Sequence, residues 1–219
     1  MRRRILLQGM LAAAASGALP PLRVIQDALA LGAVEPGVYR IKGTVLVNNR
    51  TAIEGMPVKA GDLIVTGRGA ELVFVVNKDA FLVRENTRVE LGGTTGAIIL
   101  TGFRVITGAV LSVFERGRPK RVVTSTATIG IRGTGLYVES EPARSYVCTC
   151  YGASVIEANA NAGYREEVTT RHHDEPRYVY ATGEAMIARA EMQNHADAEL
   201  EMLEWLVGRQ VPFASGGYR

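Results

Sequence analysis

The sequence predicts an all-β protein, a compact multi-strand sandwich or barrel or a short β-solenoid, carrying one C-terminal α-helix. Three observations support this. From Val34 to about Glu157, short apolar runs alternate with turn residues at intervals of about 8–12 residues, the spacing of all-β folds. The 24 glycines among 219 residues suit short strands and tight turns. Only the last quarter changes to a helical period.

The N-terminus reads as an export signal over residues 1–30. Met1-Arg2-Arg3-Arg4 precedes Ile5-Leu6-Leu7 and an Ala-rich stretch, the basic and apolar regions of a secretory signal peptide. Arg2-Arg3 followed by Ile5-Leu6 is similar to the twin-arginine motif. Ala28-Leu29-Ala30 offers a cleavage site, and Ser16-Gly17-Ala18 an earlier one. Cleavage after Ala30 removes Arg2, Arg3, Arg4, Arg23 and Asp27, which cancels the net charge of +3. A general electrostatic footprint for nucleic acid disappears with it. Arg116, Arg118, Lys120 and Arg121 remain clustered around Gly117 and Pro119, the composition of a solvated turn. No later segment offers the apolar run of about 18 residues that a second membrane span needs. The expected address is the periplasm, with no membrane span in the mature chain.

A β domain is expected over residues 34–158. Residues 43–47, 63–65, 71–76, 80–84, 88–91, 97–100, 104–107, 110–114 and 121–124 read as strands between Gly, Asn, Pro and Asp turns. Thr-Gly recurs at 66–67, 101–102, 107–108 and 134–135, too irregularly for a repeat. Residues 126–138 alternate small or polar with β-branched residues, then insert Arg132-Gly133-Thr134-Gly135, the mark of a bulge or a close backbone approach. Residues 159–219 form a C-terminal extension with a hairpin and a helix at 195–207. Asn194 is its expected cap, Asp197 completes a capping-box-like start, and Gly208 ends it. Leu200, Leu203 and Val207 share one face with Leu206 beside them, and Trp205 is expected to pack on the sheet. The helix should cover an apolar sheet face or edge.

The stretch from about Gly43 to Ala158 resembles the FecR domain, a periplasmic all-β module. The matching segments are Val45-x-Val47-Asn48-Asn49-Arg50, Gly61-Asp62-x-Ile64-x-Thr66-Gly67, Arg84-Glu85-Asn86-Thr87, residues 126–134, and Tyr151-Gly152-Ala153-Ser154-Val155. The resemblance implies a binding or signal-relay role toward an envelope protein, without catalysis. FecR-type regulators join this domain through a membrane helix to a cytoplasmic anti-sigma domain. The thirty residues before this domain leave no room for one, so a free-standing exported protein is expected. Within the motif, Arg132 reads either as a structural pair for a carboxylate or, with Thr134, as a contact for a partner.

A second signal lies downstream. Both cysteines, Cys148 and Cys150, and all three histidines, His172, His173 and His195, fall within residues 148–195. Residues two apart on a strand share a face, so the thiols are presented side by side. His172 and His173 are expected on an adjacent hairpin or the turn after it, and His195 opens the helix. Thiolate and imidazole together suit zinc or copper. Three further readings stand beside a metal: thiols packed as small hydrophobes, a strained or redox-active disulfide, and histidines serving only as turn residues before Pro176. Cys-x-Cys is also shorter than the usual Cys-x₂₋₄-Cys of zinc sites. Hydrolase, metalloprotease and nucleotide-loop motifs are missing, which argues against an enzyme. A Cys–His nucleophilic pair lacks a third group to orient it.

Overall fold

The computed structural model describes residues 34–97 and 99–213, so the expected export signal lies outside the described residues. The elements, in order, are β1 (Gly37–Lys42), β2 (Val45–Val47), β3 (Arg50–Thr51), β4 (Leu63–Thr66), β5 (Glu71–Val76), β6 (Asp79–Val83), β7 (Arg88–Gly92) and β8 (Gly102–Val113). They continue with β9 (Pro119–Val123), β10 (Ala127–Arg132), β11 (Gly135–Ser140), β12 (Arg144–Ala158), β13 (Asn161–Thr170), β14 (Arg177–Tyr180), β15 (Ile187–Arg189) and α1 (Asp197–Leu206).

The strands form two sheets that share their longest members. Sheet A runs β1-β5-β6-β8-β11-β12-β14-β15. Sheet B runs β3-β2-β4-β7-β8-β9-β10-β12-β13, with β8 and β9 parallel and the other neighbours antiparallel. Strands β8, β9, β10, β12 and β11 therefore close a ring, a barrel rather than a solenoid. Each shared strand changes sheet at a glycine. β8 pairs in sheet B up to Thr107 and in sheet A from Gly108, where φ is +86°. β12 pairs with β11 up to Tyr151 and with β13 from Gly152, where φ is +90°. A Cβ at Gly108 would lie 2.2 Å from Thr87 Oγ1, and one at Gly152 2.6 Å from Thr134 Cγ2. Both corners thus need the left-handed backbone and the missing side chain.

Sheet A is buried on both faces. Leu72, Phe74, Phe81, Val83, Val110, Leu136 and Val147 point into the core between the sheets. The alternate residues Val73, Val75, Leu82, Leu111, Val113, Tyr137, Tyr146, Cys148 and Cys150 point outward, where Leu200, Leu203 and Leu206 of α1 cover them. Two covered faces explain why β5 and β6 read as continuous apolar runs. The expected cover over a sheet face is therefore present. It also places both cysteines beneath the C-terminal segment.

Several expectations are corrected. Residues 104–107 and 110–114 join as the single strand β8, and Ala97, Ile99 and Leu100 lie outside any strand. The expected boundary at 158 falls in the turn of the β12–β13 hairpin, and β14 and β15 extend sheet A, so residues 159–213 continue the β domain. α1 begins at Asp197 rather than 195, with Ala196 as its N-cap. Only half a capping box exists, the Ala196 N–H donating to Glu199 Oε2 at 3.0 Å. Alanine has no side-chain acceptor for the other half. Trp205 is 52% exposed, because Leu200, Leu203 and Leu206 take the buried stripe. Lys120 is not on a solvated turn: its ammonium is buried 2.5 Å from Asp79 Oδ2 and donates to the Leu100 carbonyl. No helix among the described residues is long and apolar enough to cross a membrane.

Candidate metal centre

Three chain segments meet on the outer face of sheet A. Strand β12 supplies Cys148 and Cys150 just before its corner at Gly152. Alternation along the strand turns both thiols to the helix side, and both are fully buried. The turn after β13 supplies His173, whose φ of +52° aims the ring inward. Its backbone N–H donates to the Cys150 carbonyl at 2.9 Å, which pins the turn to the strand. The segment leading into α1 supplies His195, stacked on Tyr137 with ring centroids 4.5 Å apart.

Four donor atoms converge there: Cys148 Sγ, Cys150 Sγ, His173 Nδ1 and His195 Nε2, all within 4.8 Å of one another. Cys148 Sγ lies 3.4 Å from His173 Nδ1, Cys150 Sγ lies 3.5 Å from His195 Nε2, and the two imidazole nitrogens are 3.0 Å apart. Tetrahedral zinc with bonds of about 2.3 Å to sulfur and about 2.0–2.1 Å to nitrogen sets its donors about 3.3–3.8 Å apart. The two sulfur–nitrogen separations fall in this range and the nitrogen–nitrogen separation just below it, with the chemistry of a Cys₂His₂ site.

The outward nitrogens of both rings are anchored. His173 Nε2 meets Asp197 Oδ1 at 3.1 Å, and His195 Nδ1 meets the Gln193 carbonyl at 2.6 Å. Carbonyl and carboxylate oxygens only accept, so both outward nitrogens carry protons. The inward nitrogens then face each other and the thiols as lone-pair donors. Such orientation by a carboxylate or a carbonyl is what metal-ligating histidines ordinarily show.

The electrostatics agree. The Cys150 thiol beside Cys148 pulls the Cys148 pKa down to about 4; burial opposes this, and His173 and His195 add to it. Burial raises the Cys150 thiol, and the neighbouring Cys148 raises it further. Burial works against a charged His173, but Cys148 and Asp197 outweigh it and raise its pKa. These directions favour negative charge on Cys148 and positive charge at His173. A metal ion bound there would displace the protons held by these groups.

Of the five metal candidates read from sequence, four come together and His172 does not join them. Its Nε2 lies 2.9 Å from both carboxylate oxygens of Asp197, which it shares with His173. Asp197 and the Gln193 carbonyl are the functional groups that sequence reasoning missed. The only available signal was an aspartate two residues after His195 at a helix start. No S–S bond joins Cys148 and Cys150; both are free thiols.

The two candidate contact residues of the 126–138 segment differ in exposure. Arg132 is exposed at the end of β10. Thr134 is fully buried, with its Oγ1 lacking a hydrogen-bond partner, so it cannot touch a partner as expected. The turn between β10 and β11 packs tightly: a Cβ on Gly135 would lie 2.5 Å from the Tyr151 ring.

The fold and this site define an all-β protein with a buried Cys₂His₂ donor cluster under its one described helix. No protein-family model and no curated protein matches the sequence. Part of the structure is similar to two crystal structures, each of a candidate anti-sigma factor from Parabacteroides distasonis. Each gives a TM-score of 0.47 at 16% identity, over 60% of this chain and 60% of the other.

Proposed function

We propose that this protein is a non-catalytic metal-binding module in which Cys148, Cys150, His173 and His195 hold one zinc ion. One observation supports this most directly: two inward imidazole nitrogens, their rings anchored from behind, face each other at 3.0 Å beside two thiols. Two such nitrogens share either a proton or a metal ion, and the two thiols beside them add the soft, negative donors that complete a metal shell. Four protein donors also fill a tetrahedral shell, the pattern of structural rather than catalytic zinc. Copper(I) would suit the same soft donors, and calcium or magnesium would not. Purified full-length protein supplemented with zinc should hold one ion per chain by native mass spectrometry and elemental analysis. Protein that retains neither zinc nor copper, and whose melting temperature neither ion raises, would overturn the reading.

The wider role is a regulatory or signalling module of the bacterial envelope, exported through residues 1–30 and contacting an envelope protein. Its support is the ordered set of FecR-like segments between Gly43 and Ala158 and the export-like N-terminus. The two readings are compatible, since a structural metal leaves the outer surfaces free for partners. Crosslinking in a bacterial periplasm tests the wider role: an Arg132-centred crosslink to an envelope protein supports it, and retention of the chain in the cytoplasm opposes it.

A further inference from the structure

We infer that the metal centre is a clasp that fastens the C-terminal segment 195–213 over the outer face of sheet A, so that metal loading decides whether this face is covered. The inference rests on the metal-binding reading above.

Both ends of the segment return to the same spot. At its start His195 is a donor, and two residues later Asp197, the first residue of α1, holds the ring of His173. At its end Phe213 lies against His172 with centroids 4.4 Å apart and against Tyr151 at 5.9 Å. Between them, α1 sets Leu200, Leu203 and Leu206 on Val73, Val75, Leu82 and Leu111. A helix of this length is marginal alone in water, so it depends on its attachments. The other polar attachments include Asp197 to His172, Glu199 to Arg84, Glu204 to Tyr151, the Leu206 carbonyl to the Val34 N–H, and Arg209 to the Lys78 carbonyl.

The donors come from positions far apart in the chain. Cys148 and Cys150 sit in the middle of sheet A, held by β11 on one side and β14 near the start of their strand. His195 belongs to no strand. A metal bound to all four ties the C-terminal segment to the fixed strand, and it adds to docking a free energy that grows with the logarithm of free metal concentration. Without it, opening of the segment costs the leucine packing, the Phe213 ring contacts and these polar attachments, a local event that spares both sheets. The opened state uncovers an apolar face of Val73, Val75, Leu82, Leu111 and Val113, a surface that soluble proteins ordinarily keep covered or bind through.

Hydrogen exchange followed by mass spectrometry tests this on the full chain loaded with zinc, before and after chelation, with the metal counted separately by native mass spectrometry. The expected result is one zinc lost and amides of 197–213 exchanging at least tenfold faster, while β7 and β10 keep their protection. In His195→Ala, the segment should exchange fast even in excess zinc. A chain that binds and loses zinc with no change over 197–213, or with equal loosening everywhere, overturns the clasp and leaves the metal reading standing. A chain that binds no zinc removes both.

Discussion

His173 Nδ1 and His195 Nε2 meet at 3.0 Å across 22 residues of sequence, each ring anchored through its other nitrogen. Neither anchor can accept a different tautomer, because Asp197 and the Gln193 carbonyl are acceptors only. The pair is therefore preset to share a cation, and the thiols of Cys148 and Cys150 supply the charge that favours one. This relationship separates the two adjacent histidines, which composition treats as equals.

His173→Ala should abolish stoichiometric zinc binding, because it removes a donor and the contact with Asp197. His172→Ala should keep one zinc per chain, since its Nε2 is taken up by the Asp197 carboxylate and is not among the four converging donors. Elemental analysis of the two variants beside the parent checks this. Equal loss in both would mean that His172 belongs to the donor set.

Asp197→Asn keeps an acceptor oxygen near His173 but removes the negative charge that makes the ring a better donor. Substitution of such an outer partner lowers metal affinity by about 10–100-fold. A competition titration with a chelator of known affinity measures it. The far-ultraviolet circular dichroism of the variant should match the parent, since sheet A does not depend on Asp197.

Much of the fold was legible in the sequence because strand alternation is a local signal. Cys148 and Cys150 could be placed on one face from spacing alone. Their closing partners could not be ranked, since the positive φ of His173, not its composition, decides which neighbouring ring turns inward. Lys120 was misread for a related reason. A lysine beside Gly117 and Pro119 reads as solvated, while its partner Asp79 lies on another strand of another sheet. The unity of β8 was hidden because Gly108 interrupts its apolar pattern at the point where the strand changes sheet. Trp205 was misplaced because hydrophobicity argues for burial, while the face of α1 toward the sheet was already filled by leucines.

Leu203→Ala should cost about 2–5 kcal/mol, the range for deleting a buried leucine side chain. Trp205→Ala should stay within about 0.5 kcal/mol, as expected of a surface substitution. Urea midpoints of metal-loaded protein measure both. A large loss in Trp205→Ala would indicate that the indole packs against something in solution.

Lys120→Met leaves Asp79 buried without its cation, an arrangement that costs about 3–5 kcal/mol when one partner of a buried pair is removed. The pH dependence has a definite sign. Burial raises the folded-state pKa of Asp79 above its ordinary value of 3.8, while the Lys120 hydrogen bond and charge, the Glu115 N–H and the more distant Arg209 pull it down. A carboxyl raised in the folded state contributes stability that is complete below 3.8 and is lost as pH rises through the folded value. Removing Lys120 deletes two of the lowering influences, so that value climbs further. The deficit of Lys120→Met relative to the parent should therefore be smallest near pH 3 and grow toward neutrality. Denaturant midpoints of both proteins across the acid range test this, and the double variant Asp79→Asn with Lys120→Met should flatten the difference. A deficit independent of pH would mean that Asp79 stays ionised throughout and that the pair is held by charge alone.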